Sequence, residues 1–211
     1  MQVDAIATVA HAYLTARWRA ARLRSRAAVN RHHDRQLKHL IRRAAQDLPF
    51  YRGFARLPFE AWPVIDKSVM LDNFAAMNRA TLDVGAVRAA LTEGCDQLSG
   101  HMIGMSTGTS GNRGFYVITE RERFVWLGTI LAKTMPDALW RNHRVALALP
   151  ALSGLYQSAQ LGSRIDLRFF DLAAGPDSWV SGLTEFAPDT IVAPPKVLRW
   201  LAERGLLGAE C

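Results

Sequence analysis

A nine-residue stretch rich in hydroxyl groups and glycine carries the chemistry that this sequence suggests most clearly. It reads Ser106-Thr107-Gly108-Thr109-Ser110-Gly111-Asn112-Arg113-Gly114. Glycine lacks a Cβ, so the backbone N–H groups around it can approach an anion closely, and hydroxyl groups add donors that suit phosphate oxygens. Arg113 adds a positive charge. The composition predicts a phosphate-binding loop, and a plain turn is the other interpretation that it allows.

Two familiar nucleotide-binding motifs do not match this stretch. The Walker A loop requires Gly-Lys followed by Ser or Thr, and the stretch contains no lysine. The Gly-x-Gly-x-x-Gly fingerprint of dinucleotide-binding folds is also different. A phosphate site here would therefore use another loop geometry.

Strands and helices alternate around this loop. We predict strands over Met102–Ser106 and Phe115–Thr119, on either side of it, and a helix over Glu120–Lys133. The alternation predicts a parallel or mixed α/β sheet from about residue 100 onward. The elements predicted farther along are strands over Val145–Leu149, Ile165–Phe170 and Thr190–Val192 and helices over Tyr156–Gln160, Ser178–Phe186 and Val197–Arg204.

Short helices are predicted upstream of the loop, over about Lys67–Met77 and Val84–Thr92. Asp66 stands where a helix N-cap is expected, because its carboxylate can accept a hydrogen bond from a free backbone N–H group of the first turn. Lys67 follows it, and we expect this side chain to be structural or to face solvent.

A basic helical segment precedes these elements. Residues 4–47 contain neither proline nor glycine, so we predict one long helix, or two helices broken near Asn30, ended by Pro49. Residues 1–46 hold ten Lys and Arg against two Asp, a net charge of +8, whereas the whole chain carries +7. Cations that share one predicted helix face are Arg17, Arg24, Arg31, Arg35, Lys38 and Arg42.

Three interpretations of this cationic face stay open. It is a solvated helix surface, or it contacts an acidic partner or an anionic membrane surface, or it binds nucleic acid. The third is the weakest, because aromatic side chains are not interleaved with the cations and no DNA-binding pattern accompanies them. We expect no nucleic-acid partner.

Length and composition limit the classes of protein. With 211 residues, of which 49% are hydrophobic and 21% charged, the chain is typical of a globular protein with one or two domains. Two cysteines are too few for a disulfide framework, so we expect a cytoplasmic setting. The predicted organisation is a separable basic helical arm over 1–46, connecting loops and short helices over 47–99, and a partial α/β subdomain over 100–211.

Four stretches of the chain resemble, in the same order, stretches of adenylate-forming enzymes. Ser106–Gly111, followed by a short strand, resembles the phosphate-binding loop of that superfamily. The other three are Leu48–Arg52, Trp62–Lys67 with Asn73-Phe74 after it, and Ile191–Leu198. They resemble stretches of phenylacetate–CoA ligase-like proteins, and the nearest branch is the group related to coenzyme F synthetase and to capsule-biosynthesis proteins. The resemblance runs from about residue 35 to the C-terminus.

The resemblance implies an ATP-dependent ligase. In such enzymes a carboxylate attacks the α-phosphate of ATP, pyrophosphate leaves, and the acyl group passes to an acceptor such as coenzyme A. Mg²⁺ is implied together with ATP, because a hard cation neutralises charge on phosphate oxygens. Asn112 stands where many relatives have lysine. The residues implied to hold the β- and γ-phosphates are Ser106, Thr107, Gly108, Thr109, Ser110 and Gly111, with Arg113 beside them.

Later motifs of the family have no match in the expected order before Cys211. They are the Gly-x-Thr-Glu adenine loop, the acidic residue that binds ribose, the hinge, and the small C-terminal domain with its catalytic lysine. Gly182–Glu185 has the letters of one of them, but it precedes Pro194-Pro195, whereas the family places that motif after this step, so we interpret it as part of an amphipathic helix. We therefore expect residues 1–211 to form an N-terminal part that is inactive alone. Two functions of another class remain as alternatives, a non-catalytic anion-binding module and a basic helical interaction module.

Overall fold

The structure is a computed structural model that describes residues 2–106, 114–149 and 164–207. The chain divides into two compact units. The parallel-sheet unit comprises Met1–Arg17 and Phe124–Cys211, and the hairpin unit comprises Trp18–Arg123. Helices and strands alternate along much of the chain, which confirms the predicted α/β class.

Helices dominate the first half of the chain, and strands become frequent after residue 96. The α-helices of the described ranges are α1 (Gln2–Arg22), α2 (Arg26–Asp47), α3 (Lys67–Asp72), α4 (Phe74–Met77), α5 (Val84–Thr92), α6 (Glu120–Thr134), α7 (Val180–Phe186) and α8 (Pro195–Glu203). The β-strands are β1 (Gln97–Leu98), β2 (His101–Met105), β3 (Phe115–Ile118), β4 (His143–Leu149), β5 (Ile165–Asp171) and β6 (Thr190–Val192). Short 3-10 turns lie at Pro49–Phe54, Phe59–Ala61, Leu172–Ala174 and Pro176–Trp179.

Most predicted boundaries are confirmed to within two residues. The helix Val84–Thr92 and the strand Thr190–Val192 are confirmed without any shift. The predicted helix Tyr156–Gln160 lies outside the described residues. Within the described part of the chain, no helix is both long enough and apolar enough to cross a membrane.

The parallel-sheet unit is built on β4, which lies between β5 and β6 and pairs with both in parallel. Its apolar run is buried from Val145 to Ala148, as expected for a central strand covered on both faces. Successive side chains point to opposite faces of a strand. Val145 accordingly packs with Leu127 of α6, whereas Ala146 and Ala148 pack in the cluster that contains Leu201 of α8.

The first turns of α1 belong to the core of the parallel-sheet unit. Tyr13 is 1% exposed and packs with Leu127 and Leu131 of α6. Its hydroxyl group donates to the backbone carbonyl of Pro136, and burial raises its pKa. Ala5, Ala12 and Tyr13 of α1 are therefore buried in this unit, whereas the charge pattern predicts that residues 1–46 form a separable arm. The reason is that the apolar positions of α1 include one face that contacts α6.

The helix break lies earlier than predicted. α1 ends at Arg22 and α2 starts at Arg26, whereas Asn30, near which the break was expected, lies inside α2. Ser25 explains this position, because its hydroxyl oxygen accepts a hydrogen bond from the backbone N–H of Ala28 at 3.2 Å and caps α2. The predicted cationic face is therefore interrupted at Arg24, although its members on α2 are exposed.

The hairpin unit contains an antiparallel sheet in the order β1-β2-β3. Antiparallel neighbours are compatible with the expected mixed sheet, but β2 and β3 form a sheet of their own with β1, so the expectation of a single sheet from about residue 100 onward is wrong. The connection from Met105 to Phe115 is too short for the crossover that parallel neighbours need, which takes a dozen or more residues. Ile103 of β2 is buried with Phe74 of α4 and Val87 of α5, and these contacts form the core of the unit.

Candidate anion-binding site

The predicted phosphate loop leaves the antiparallel sheet at Ser106 and returns to it at Gly114. The backbone N–H of Ser106 donates to the carbonyl of Gly114 at 2.8 Å, and the N–H of Gly114 donates to the Ser106 hydroxyl oxygen at 2.9 Å. These two bonds close the base of the loop directly beyond the pair Met105↔Phe115. Ser106 thus lies at the base. The other predicted site residues lie outside the described residues: Thr107, Gly108, Thr109, Ser110, Gly111 and Arg113.

Lys67 lies next to this base. A carbon built at the Cβ position of Gly114 would lie 3.6 Å from Cε of Lys67 and 3.6 Å from Cε of Met70. The ammonium nitrogen of Lys67 is one bond beyond that Cε. The lysine side chain therefore lies within van der Waals range of the point where the loop rejoins the sheet.

The start of α3 sets the position of Lys67. Asp66 accepts a hydrogen bond from the backbone N–H of Val69 at 2.8 Å, which confirms its predicted role as the N-cap. At the other end, the Asn73 side chain donates to the Val69 carbonyl at 2.9 Å. Both ends of this short helix are thus fixed by side chains, and Lys67 is its first residue.

A second cation lies over the first residue of β3. The Arg88 guanidinium carbon is 5.7 Å from the centroid of the Phe115 ring, which itself makes an edge contact with Phe74 at 6.4 Å between centroids. Phe115 is packed against the core of the hairpin unit. Arg88 therefore adds a positive charge beside Phe115, the residue that follows the base of the loop, and Lys67 adds one beside Gly114.

Gly104 allows the hairpin to pack closely just before the loop. It pairs with Tyr116, and a Cβ at its position would lie 2.2 Å from the Tyr116 hydroxyl oxygen. Any side chain at residue 104 would therefore displace the tyrosine ring. This contact was not anticipated from the sequence, because it depends on the register of β2 against β3.

Sequence reasoning also missed the position of Lys67. The expectation from the sequence is that Lys67 is structural or faces solvent, and no local pattern links it to a loop about forty residues later. The stretch Trp62–Lys67 that resembles phenylacetate–CoA ligase-like proteins was the available signal, since it ends at this lysine.

A second polar cluster lies in the parallel-sheet unit, around His143. This residue is 7% exposed and begins β4. Its Nε2 is 3.0 Å from an Asp137 carboxylate oxygen, and its Nδ1 is 3.4 Å from an oxygen of Asp189. The cluster lies at the amino end of the parallel strands, whereas ligands of open α/β sheets bind at the carboxyl ends. The cluster therefore links loops at the amino end of the sheet and stabilises the fold.

Asp189 is the most heavily hydrogen-bonded member of this cluster. Burial alone would raise its pKa, but hydrogen bonds from Thr190, the Arg144 backbone and His143 together lower it. A lowered pKa means that the carboxylate stabilises the folded chain at neutral pH. This stabilisation is lost as the pH falls through the pKa of the folded state.

We expect Asp189→Asn to lower the free energy of unfolding at pH 7. The difference from the wild type should become smaller as the pH falls from about 5 toward 2. Urea unfolding at pH 7 and at pH 3 measures the effect. Asp166→Asn, the same change at an exposed position of β5, is the matched control and should leave stability nearly unchanged. If Asp189→Asn lowers the free energy of unfolding equally at pH 7 and pH 3, this result would contradict the lowered pKa of Asp189.

Side chains that could ligate a metal are not grouped together in the part of the chain that the structure describes. In residues 2–106, 114–149 and 164–207, no group of three or more His, Cys, Asp or Glu side chains is placed to hold a metal ion. Mg²⁺ that accompanies a nucleotide takes most of its ligands from phosphate oxygens and water. The cationic base of the loop fits the phosphate part of such a complex.

Comparisons with protein-family models, with curated proteins and with solved structures find no match to this chain. Membership of the adenylate-forming superfamily therefore stays a prediction from the sequence motifs.

Proposed function

We propose that the loop Ser106–Gly114 binds the β- and γ-phosphates of ATP and that the chain is part of an adenylate-forming ligase. The observation that carries this proposal is the approach of Lys67 to Gly114, with its Cε 3.6 Å from the Cβ position. Lys67 thereby places a lysine beside the loop, whereas Asn112 stands within the loop where many relatives have lysine. A charge-assisted hydrogen bond from an ammonium group to a phosphate is about twice as strong as a neutral one.

Several parts of this chain have a role in the proposed reaction. The loop orients the triphosphate, with backbone N–H groups and hydroxyl donors on the β- and γ-oxygens. Lys67 and Arg88 balance the charge of the departing pyrophosphate. Mg²⁺ bound to the phosphates supplies further neutralisation. The acyl adenylate is then passed to an acceptor such as coenzyme A. The two cysteines favour a cytoplasmic setting for this reaction.

A non-catalytic anion-binding module is the second candidate. The same loop base favours this candidate, because an anion can bind there without any reacting carboxylate. The two candidates differ in one measurable property. A ligase exchanges labelled pyrophosphate into ATP only when a suitable carboxylate is present, whereas a binding module holds pyrophosphate without any exchange.

We expect Lys67→Met to weaken pyrophosphate binding about tenfold, because methionine keeps the length of the side chain and removes its charge. Lys38→Met is the matched control, since it removes the same charge from exposed α2 of the same unit. Isothermal titration calorimetry measures both. Equal losses in the two variants would mean that pyrophosphate responds only to overall charge, and this result would contradict the proposed site.

A further inference from the structure

A groove of about 620 Å³ runs along α2 in the hairpin unit. One wall consists of side chains of α2, and Arg79 and Glu122 contribute from other parts of the same unit. Its volume falls within the range of pockets that hold small organic molecules, about 300–1,000 Å³. Among the described residues, neither Ser106 nor Gly114 lines the groove, and the inference below is argued from α2 and not from the proposed phosphate loop.

The floor of the groove is apolar and uncovered. Leu37 and Leu40 are 38% and 64% exposed, and they line it together with Ala44 and Leu48. None of the residues of α2 is buried. A 22-residue helix with exposed leucines on its groove side gains free energy if an apolar group covers them, at roughly 25 cal/mol for each Å² removed from water.

The helix that bears this floor is cationic, because α2 holds six Lys and Arg against two Asp, and this charge favours an anion. Both carboxylates of the lining are already engaged. Asp47 binds the Arg79 guanidinium and lies 3.8 Å from Nε of Arg43. Glu122 accepts hydrogen bonds from the backbone N–H and the hydroxyl group of Thr119 at 2.8 and 2.9 Å. These bonds hold the Glu122 carboxylate against Thr119, which directly precedes α6.

The remaining polar side chains can donate. His33 and His39 line the groove, and a guanidinium group carries five N–H donors, more than a single carboxylate can use. Arg43 and Arg79 share the one carboxylate of Asp47. The groove therefore combines an apolar floor with more hydrogen-bond donors than its own acceptors satisfy.

We propose that the α2 groove binds a free amphiphilic carboxylate, with its apolar chain on Leu37 and Leu40 and its carboxylate on Arg43, Arg79 and the two histidines. The ligand class follows from the lining. A purely apolar molecule leaves the guanidinium groups without a new partner, and a small anion leaves the leucines exposed. A groove of this volume accommodates a single small molecule.

The binding test uses three small-molecule probes and one preparation of phospholipid vesicles. We expect octanoate to bind to the full chain, and octanamide and acetate to bind at least about tenfold more weakly, since each lacks one of the two recognised parts. Vesicles of neutral and anionic phospholipid form the fourth arm. Binding to anionic vesicles without binding to octanoate would overturn the proposal and assign the surface to a membrane. Equal binding of octanoate and octanamide would also overturn it.

Variants locate the site. Leu40→Glu places a negative charge on the floor, and we expect it to reduce octanoate binding at least about tenfold. Leu57→Glu is the matched control, because Leu57 is 47% exposed in the same unit and does not line the groove. Arg43→Gln is a second test that leaves Asp47 paired with Arg79. Octanoate binding unchanged in both Leu40→Glu and Arg43→Gln would overturn the proposal, as would a dimer of the wild-type chain that Leu40→Glu dissociates.

Discussion

Replacement of Gly108 and Gly111 together by valine is expected to abolish pyrophosphate binding. Both glycines lie in the loop whose base is closed by Ser106 and Gly114. A valine at either position adds a branched Cβ where the backbone is expected to approach phosphate oxygens, and it disfavours the left-handed conformations that such loops use. The fold should persist, because the loop contributes no described residue to the core clusters.

The measurement for this variant is calorimetric titration with pyrophosphate, paired with a thermal unfolding scan. Gly53→Val is the matched control, since no atom lies within 4 Å of the Cβ position of Gly53 and its backbone needs no positive φ. It should bind as the wild type does. Undiminished binding by the Gly108→Val/Gly111→Val variant, with normal unfolding, would show that the loop is a plain turn.

Gly128→Ala is expected to destabilise the parallel-sheet unit by about 2–3 kcal/mol, near the upper end of the usual cost of overpacking. A Cβ at Gly128 would lie 2.3 Å from the backbone carbonyl oxygen of Val9 and 2.9 Å from Cβ of Ala12. Both belong to α1, whose backbone cannot yield as the end of a side chain can. α1 and α6 would have to move apart, and the contacts of Tyr13 would loosen.

Gly182→Ala is the matched control for this change, as it too is a glycine inside a helix of the parallel-sheet unit. The Cβ position of Gly182 has an ordinary contact of 3.6 Å with the Phe170 ring. Alanine there should raise stability by about 0.5–1 kcal/mol through helix propensity. Urea unfolding compares the two variants. Equal, small effects would mean that α1 does not pack on α6 as closely as described.

Local patterns predicted much of this fold, and long-range pairings account for most of what they missed. The capping carboxylates Asp66 and Asp83 fix the starts of α3 and α5, and each acts within three residues of itself. The orientation of β2 and β3 could also have been deduced, because the length of their connection excludes a parallel crossover. That argument uses only residue numbers and was available from the sequence.

The candidate site was predictable only in part. The loop residues from Ser106 to Gly111 stand together in the sequence, and their composition indicates an anion. Lys67 reaches Gly114 only through the packing of α3 on the hairpin, and His143 meets Asp189 only because β4 and β6 are neighbours. No periodicity of the sequence encodes these contacts. They arise when elements distant in the chain bury a shared apolar surface.

Backbone amide shifts on titration with pyrophosphate test the phosphate-loop proposal most directly. In a chain labelled with ¹⁵N at glycine, serine and lysine, we predict that the largest changes occur at Ser106, Gly108, Gly111, Gly114 and Lys67. Lys38 on exposed α2 should respond only weakly, and its response should vanish at high salt, as expected for a screened surface charge. Large changes at Lys38, with none at Gly108 and Gly111, would contradict the assignment of this loop as the phosphate site.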